Sequence, residues 1–167
     1  MQNLLGFVKK KEFLKMEINC ENILDKKKIR EINPLVLAFL GDAIHTAFVR
    51  EKVVLEHSYS AGLMHKESSK FCSATHQSLV FDKLQEILTE EEQEIALRAR
   101  NAKNSHTAKH SSLAEYKKAT SFEALLGYLY LAGENDRLQQ FLDISMWLMI
   151  IYCSIDIEPR DRDHALY

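Results

Sequence analysis

Apolar residues recur at helical spacing from Pro34 onward. One face of this segment carries them at steps of three, four and four residues, namely at Leu37, Leu40, Ile44 and Phe48. That spacing predicts an α-helix. Asn33 suits the N-cap and Pro34 the first helical turn, so we expect the helix to begin there. Further apolar residues fill its other faces, and we therefore expect it to be buried nearly all round.

The same pattern continues to the end of the chain. Thr89 and Glu92 have the spacing of a capping box, and Gly133 stands where a helix commonly ends. Further helices are predicted over residues 60–70, 71–88, 89–100 and 113–131, with a last helix opening at Asn135 and Asp136 and including the apolar residues 144–155. No segment alternates as a β-strand does. We predict an all-α fold.

The 167 residues are enough for one domain with a sizeable core. Residues 1–31 are rich in lysine and only weakly periodic, so we expect an N-terminal extension with one short helical stretch. The main domain is predicted over residues 32–155 and a C-terminal tail over 156–167. Residues 101–112 are small, polar and basic, which indicates an exposed loop.

Composition excludes several protein classes. The three cysteines are widely spaced and show no zinc-binding pattern, which is typical of a reduced, cytoplasmic protein. No secretory signal is recognisable at the N-terminus. The longest apolar stretch, residues 144–155, is shorter than the roughly 20 residues that a membrane span needs. We expect a cytoplasmic protein without a membrane partner.

Charge is unevenly distributed along the chain. Residues 98–118 contain six lysines and arginines against one glutamate, whereas the whole protein has a formal net charge of −2. A local excess of this kind can attract a polyanion such as RNA. A plain solvated basic loop is the alternative. The candidate RNA-binding residues here are Arg98, Arg100, Asn101, Lys103, Lys109, Lys117 and Lys118.

Two carboxylates interrupt the most apolar helices. Asp42 lies beside Gly41, and Glu123 lies one helical turn before Gly127. Glycine inside a helix is unfavourable, so both glycines suggest a close approach of backbones. If the helices cross there, Asp42 and Glu123 could share a divalent cation, which prefers oxygen ligands. Alternatively, each acid pairs with a buried arginine or caps a helix.

Other chemical motifs are weaker. His106 and His110 fall in the predicted loop without the glutamate of a zinc-protease motif. Cys72 has no partner that would make it catalytic, and no phosphate-binding glycine loop is present. His45 lies near Asp42, where we expect a histidine on the helix surface.

Several segments resemble a known enzyme family. The segment 39–43 resembles the signature helix of ribonuclease III, and 122–127 resembles its second metal-binding helix. Together with 98–103 and 116–131, these segments are most similar to Mini-ribonuclease III, the bacterial branch that lacks a double-stranded-RNA-binding domain. The resemblance covers roughly residues 33–145 and implies the helical endonuclease fold of that family, which makes 32–155 the catalytic domain.

The resemblance also implies a function. It predicts a Mg²⁺-dependent endoribonuclease that cleaves double-stranded RNA and leaves 5′-phosphate and 3′-hydroxyl ends. Asp42 and Glu123 would be the catalytic and metal-binding residues. It further implies a homodimer with one site per subunit, which matures the ends of 23S ribosomal RNA precursor, on RNA that already carries a ribosomal protein.

The chain departs from full-length ribonuclease III at two positions. Ala38 and Thr120 stand where that enzyme has further acids, as they do in the Mini branch. The metal would then take more ligands from water and RNA phosphate. The missing acids also favour an alternative, a catalytically silent dimeric RNA-binding or ribosome-assembly factor. A helical interaction protein without a nucleic-acid partner is a third hypothesis.

Overall fold

The computed structural model describes residues 23–56, 60–103 and 111–155. Within these ranges the chain forms helices and no strand, so the predicted all-α fold is confirmed. The helices are α1 (Lys26–Glu31), α2 (Pro34–Glu56), α3 (Ala61–Phe71), α4 (Ala74–Leu84), α5 (Glu90–Asn101), α6 (Leu113–Leu131) and α7 (Asn135–Ile155).

Helices α2 and α6 form the centre of the molecule. Their mutual contact is the most extensive between any two helices of the described chain. Helices α4 and α5 pack on other sides of α6, which explains why α6 is buried over most of its surface. Phe48, Phe122 and Phe141 bring rings from α2, α6 and α7 into the fully buried core. The crossing of α2 and α6 is therefore surrounded by packed helices, which suits a functional site whose side chains need fixed positions.

Helix ends follow the sequence signals closely. The Thr89 hydroxyl accepts a hydrogen bond from the Glu92 amide at 3.3 Å, and the Glu92 carboxylate accepts one from the Thr89 amide at 2.8 Å. This is the predicted capping box of α5. Gly133 adopts a positive φ of 68° after α6, the left-handed conformation that glycine permits at a helix end.

The helix predicted over 71–88 is shorter than expected. Helix α3 continues to Phe71, and α4 runs only from Ala74 to Leu84. The break occurs because Ser73 acts as N-cap, with its hydroxyl accepting a hydrogen bond from the His76 amide at 3.2 Å. The apolar periodicity continues across this cap, so periodicity alone did not reveal the boundary.

Helix α1 falls within the predicted N-terminal extension but packs against the domain. Ile29 is fully buried in the core, and the Leu24 amide donates to the Leu131 carbonyl at 2.9 Å. Lys26 and Arg30 form ion pairs with Glu134 and Glu91 at 2.7 and 3.0 Å. The last residues of the 1–31 segment are thus attached to the main domain. Residues 1–22 and the tail 156–167 lie outside the described residues.

The expectation that α2 is buried on all faces is wrong. Its Leu37, Ile44 and Phe48 side chains are buried, whereas Val36 is exposed and Phe39 is 80% exposed. Among the described residues, neighbouring helices cover one side of α2, and an apolar stripe on its other side is exposed.

Across the ranges that the structure describes, no helix combines the length and the apolar character needed to cross a membrane. Helix α7, which includes the whole apolar 144–155 stretch, instead contributes Ile144, Met146 and Met149 to the buried core.

Candidate active site

Two glycines allow α2 and α6 to touch through their backbones. A Cβ atom on Gly41 would overlap the Glu123 carbonyl oxygen and lie 2.9 Å from the Gly127 nitrogen. A Cβ on Gly127 would overlap the Leu37 carbonyl oxygen. The predicted close approach at these glycines is therefore present. It places residue 42 of one helix beside residue 123 of the other.

The Asp42 and Glu123 carboxyl groups meet at this crossing. Burial, then the negative charge of Asp42 and a hydrogen bond with its carboxyl, together raise the pKa of Glu123 from its ordinary 4.5 to about 8. A hydrogen bond from Gln77 acts in the opposite direction. Two carboxyl groups in one place favour a shared proton until a cation neutralises them.

The two acids differ in exposure. Glu123 is half-buried, whereas Asp42 is exposed on the open side of α2. The sequence suggested that both lie on core-facing surfaces, which is wrong for Asp42 because no described helix covers that side. The exposure leaves one edge of the carboxylate pair accessible to water and substrate.

The donor set fits a hard divalent cation. Two carboxylates from separate helices converge, and neither forms an ion pair with lysine or arginine within the described chain. That disfavours the alternative in which each acid pairs with an arginine. No cluster of three or more histidine, cysteine, aspartate or glutamate side chains suited to a metal occurs among these residues. Asp42 and Glu123 could hold Mg²⁺, with water and substrate completing the coordination, as is usual for this ion.

The two positions that lack an acid are occupied by small, buried side chains. Thr120 is buried, and its hydroxyl donates to the Tyr116 carbonyl one turn earlier at 2.9 Å. Ala38 is buried as well. Neither residue can supply a carboxylate oxygen to the site.

A polar network behind Glu123 was missed from the sequence. Gln77 on α4 is only 1% exposed, and its Nε2 lies 3.4 Å from His45 Nδ1. The Nε2 of His45 lies 2.8 Å from the Ser145 hydroxyl on α7. His45 is fully buried, so its predicted place on the helix surface is wrong. In the sequence, only its spacing of three residues from Asp42 indicated that His45 lies near the site.

Cys72 lies at the edge of the site. Burial raises the pKa of its thiol, a hydrogen bond with Thr46 lowers it, and the charge of Asp42 raises it again. A thiol with a raised pKa is a poor nucleophile. The prediction that Cys72 is not catalytic agrees with this environment.

The candidate RNA-binding residues occupy different environments. Arg100, Asn101 and Lys103 are exposed at the end of α5. Arg98 is half-buried and donates to the Ile32 carbonyl at 3.1 Å, which ties α5 to the start of α2. The other members of the predicted set are Lys109, which lies outside the described residues, and Lys117 and Lys118, which are half-buried on α6.

Lys118 already has a partner on a neighbouring helix. Its Nζ lies 2.8 Å from Asp82 Oδ2, linking α6 to α4. Arg98 and Lys118 thus both contribute to packing, whereas Arg100 and Lys103 project their charges into solvent.

Comparison with known proteins identifies the family. Residues 35–134 match the Ribonuclease III domain. The chain is 37% identical over 145 residues to Mini-ribonuclease 3 of Thermoanaerobacter sp. (strain X514), covering 87% of this chain and 95% of that protein. This chain belongs to the Mini-ribonuclease 3 family. Like its relatives, it is an endoribonuclease.

A further Mini-ribonuclease 3 relative and one solved structure agree with this assignment. The protein of Symbiobacterium thermophilum is 43% identical over 109 residues, covering 65% of this chain and 84% of that protein. A crystal structure of a Fusobacterium nucleatum protein superposes with a TM-score of 0.66 at 32% identity, covering 72% of this chain and 96% of that chain. The matched family domain contains α2 and α6, and hence both Asp42 and Glu123.

Proposed function

We propose that this chain is a Mg²⁺-dependent endoribonuclease that cleaves double-stranded RNA at the Asp42–Glu123 pair. The observation that carries the proposal is the convergence of these two carboxylates at the glycine crossing of α2 and α6. No lysine or arginine among the described residues forms an ion pair with them, so a cation is the partner that their chemistry favours.

Each carboxylate has a distinct task. Glu123 is half-buried and fixed by α6, so it defines the inner edge of the cation site. Asp42 is exposed and defines the outer edge, which the scissile phosphate would approach. A Mg²⁺ ion held by the two carboxylates would supply Lewis acidity, which would make water a better nucleophile and stabilise negative charge on the phosphate. Hydrolysis forms a bond from the water oxygen to phosphorus and breaks the P–O3′ bond, and O3′ takes up a proton, so the products carry a 5′-phosphate and a 3′-hydroxyl.

The exposed charges beyond the pair suit a duplex substrate. Arg100 and Lys103 extend from the end of α5, and Lys109 follows in the basic segment. Such groups bind backbone phosphates independently of sequence, and A-form RNA is recognised largely by shape. Asn101, Arg98, Lys117 and Lys118 complete the proposed RNA-binding set, in which Arg98 and Lys118 also take part in packing.

The substrate we propose is the 23S ribosomal RNA precursor in the cytoplasm, cleaved at its ends while it carries a ribosomal protein. Membership in the Mini-ribonuclease 3 family supports this choice. A catalytic domain that reads shape rather than sequence needs a folded, protein-bound substrate to define its cleavage sites.

The open face of α2 supports a homodimer. Val36, Phe39, Ala43 and Ala47 form an exposed stripe of small and apolar side chains along α2. Large exposed apolar surfaces mark interaction sites. Asp42 lies directly beside this stripe, so a second copy seated on it would bring two active sites to a single duplex, one for each strand.

The function is tested by incubating duplex precursor RNA with the wild type and with Asp42→Asn and Glu123→Gln, in Mg²⁺ or in chelator. We expect Mg²⁺-dependent fragments from the wild type and at least a 100-fold lower cleavage rate from each variant, with RNA binding retained. Glu86→Gln, which changes an exposed glutamate beyond α4, should cleave normally. RNA binding without cleavage by the wild type would instead favour the silent assembly factor.

A further inference from the structure

Gln77 has a buried amide that contacts the Glu123 carboxyl from the core side of the active site. It lies on α4 with 1% of its surface exposed, and its side chain hydrogen-bonds to Glu123 on α6. The same amide nitrogen lies 3.4 Å from His45 Nδ1 on α2. A buried amide is costly unless its hydrogen bonds are made, so these two partners explain its presence in the core.

His45 orients this amide. Burial and, to a smaller extent, the nearby His76 lower the pKa of its imidazole to about 3, so the ring is neutral and carries a single N–H. The ring lies edge-on against Phe122 with centroids 5.0 Å apart. Its Nε2 lies 2.8 Å from the Ser145 hydroxyl.

These contacts fix the direction of each hydrogen bond. With its proton on Nε2, His45 donates to the Ser145 hydroxyl and leaves Nδ1 free to accept from Gln77. The second N–H of the Gln77 amide is then available to the Glu123 carboxyl, with which the Gln77 side chain hydrogen-bonds. Four helices, α2, α4, α6 and α7, therefore contribute to a single hydrogen-bonded chain that reaches the Glu123 carboxyl.

We propose that Gln77, oriented by His45 and Ser145, is a positioning residue that turns the Glu123 carboxylate toward Asp42 and so sets the affinity of the pair for a divalent cation. This inference rests on the proposed function of the pair. A neutral amide suits the task because it holds a carboxylate oxygen without cancelling its charge. A lysine or arginine in its place would orient the carboxylate but would also compete with the cation.

The test measures Mn²⁺ binding by electron paramagnetic resonance together with thermal unfolding. Gln77→Met keeps the approximate volume of the side chain and removes the donor. A hydrogen bond to a charged group corresponds to about a tenfold change in affinity or more. We expect Gln77→Met to bind Mn²⁺ at least about tenfold more weakly and to need correspondingly more Mg²⁺ for half-maximal cleavage, with RNA affinity in chelator unchanged.

Two further variants keep the test decisive if Gln77→Met folds poorly. His45→Phe preserves an aromatic ring against Phe122 but removes the acceptor that orients Gln77, and we expect a smaller loss of Mn²⁺ affinity, about threefold. Gln85→Met changes an exposed amide just beyond the same helix, hydrogen-bonded to Asp82 at 3.0 Å, and should leave Mn²⁺ affinity unchanged. A role confined to core packing would lower the unfolding temperature without changing the Mn²⁺ affinity of the folded protein.

The outcomes separate this inference from the proposed function. If Glu123→Gln binds Mn²⁺ and cleaves RNA as the wild type does, the proposed cation site is wrong and the role of Gln77 falls with it. If Glu123→Gln loses both properties while the folded Gln77→Met and His45→Phe variants bind Mn²⁺ within twofold of the wild type, only the inference about Gln77 is overturned.

Discussion

Gly127 faces the Leu37 carbonyl across the α2–α6 crossing, where even a methyl group would overlap the neighbouring backbone. Gly41 faces the Glu123 carbonyl in the same way. Because the obstructing atoms belong to backbones of two central helices, a larger residue can be accommodated only by moving the helices apart. The distance between the two carboxylates therefore depends on these glycines.

We predict that Gly127→Ala destabilises the protein by about 1–3 kcal/mol, the usual cost of overpacking a core, and reduces cation affinity. Chemical denaturation and Mn²⁺ titration measure the two effects. Gly62→Ala is the matched control. A Cβ there meets nothing within 4 Å, and alanine is the better helix former, so stability should rise by about 0.5–1 kcal/mol. Equal effects of the two substitutions would contradict the close-contact account.

The proton on Glu123 makes cation binding depend on pH. With a pKa of about 8 in the cation-free protein, Glu123 holds a proton at neutral pH that a cation must displace. We predict that Mn²⁺ affinity rises with pH and levels off above about pH 8. Calorimetry in two buffers of different ionisation enthalpy should detect the proton that is released near pH 7.

The same proton affects stability in chelator. The folded state holds it more tightly than the unfolded chain, where the pKa of glutamate is near 4.5, so its contribution to stability is lost as pH rises from about 4.5 through 8. Thermal midpoints of the wild type should fall over this range more than those of Glu123→Gln. If the thermal midpoints of the two proteins change with pH in the same way, the pKa of Glu123 is not raised.

At the scale of helices, a buried ion pair joins α5 to α7. Arg137 Nε and Nη2 lie 2.8 and 2.7 Å from the two carboxylate oxygens of Glu92, which is almost fully buried. Burial alone would raise the pKa of Glu92, but hydrogen bonds from Arg137 and the Thr89 amide outweigh it and lower the pKa. The capping box of α5 is thereby tied to the last helix.

We predict that Arg137→Ala destabilises the protein by about 3–5 kcal/mol, because it leaves a buried carboxylate without its partner. Lys70→Ala is the comparison. It removes an exposed pair with Glu67 at 2.7 Å and should cost less than about 1 kcal/mol. Urea denaturation measures the free energy of unfolding of each variant. Similar losses of stability in the two variants would argue against a strong buried pair between Arg137 and Glu92.

Local signals predicted most helix boundaries, because caps and glycines act within a few residues of the end they define. Thr89 and Gly133 are examples. These local signals did not predict features that depend on packing between distant parts of the chain. Ile29 lies in a short, lysine-rich segment whose burial depends on contact with distant helices. Ser73 caps the start of α4 in the middle of a continuous apolar pattern.

At the scale of the whole molecule, the site was only partly predictable. Asp42 and Glu123 were identifiable because each interrupts an apolar helix next to a glycine. Gln77 and His45 were not, since their contact joins residues 32 positions apart and depends on how α2 and α4 pack. The exposure of Asp42 was missed for a similar reason. An apolar helix face that is open to solvent has the same sequence pattern as one that packs in the core.

We predict that the wild type is a dimer in solution and that Phe39→Lys is a folded monomer, because a lysine on the apolar stripe of α2 would be desolvated at the interface. Light scattering measures the mass. Leu97→Lys, at an exposed leucine on α5, should remain dimeric. A monomeric wild type, or a Phe39→Lys protein that stays dimeric, would contradict the proposed interface.

The most direct test of the central claim is an anomalous-difference map from crystals grown with Mn²⁺. We predict a peak between α2 and α6, with carboxylate oxygens of both Asp42 and Glu123 at coordination distance, about 2.1 Å for an ion of this kind. A protein that cleaves RNA in Mn²⁺ but binds the ion elsewhere, with no peak at this pair, would contradict it.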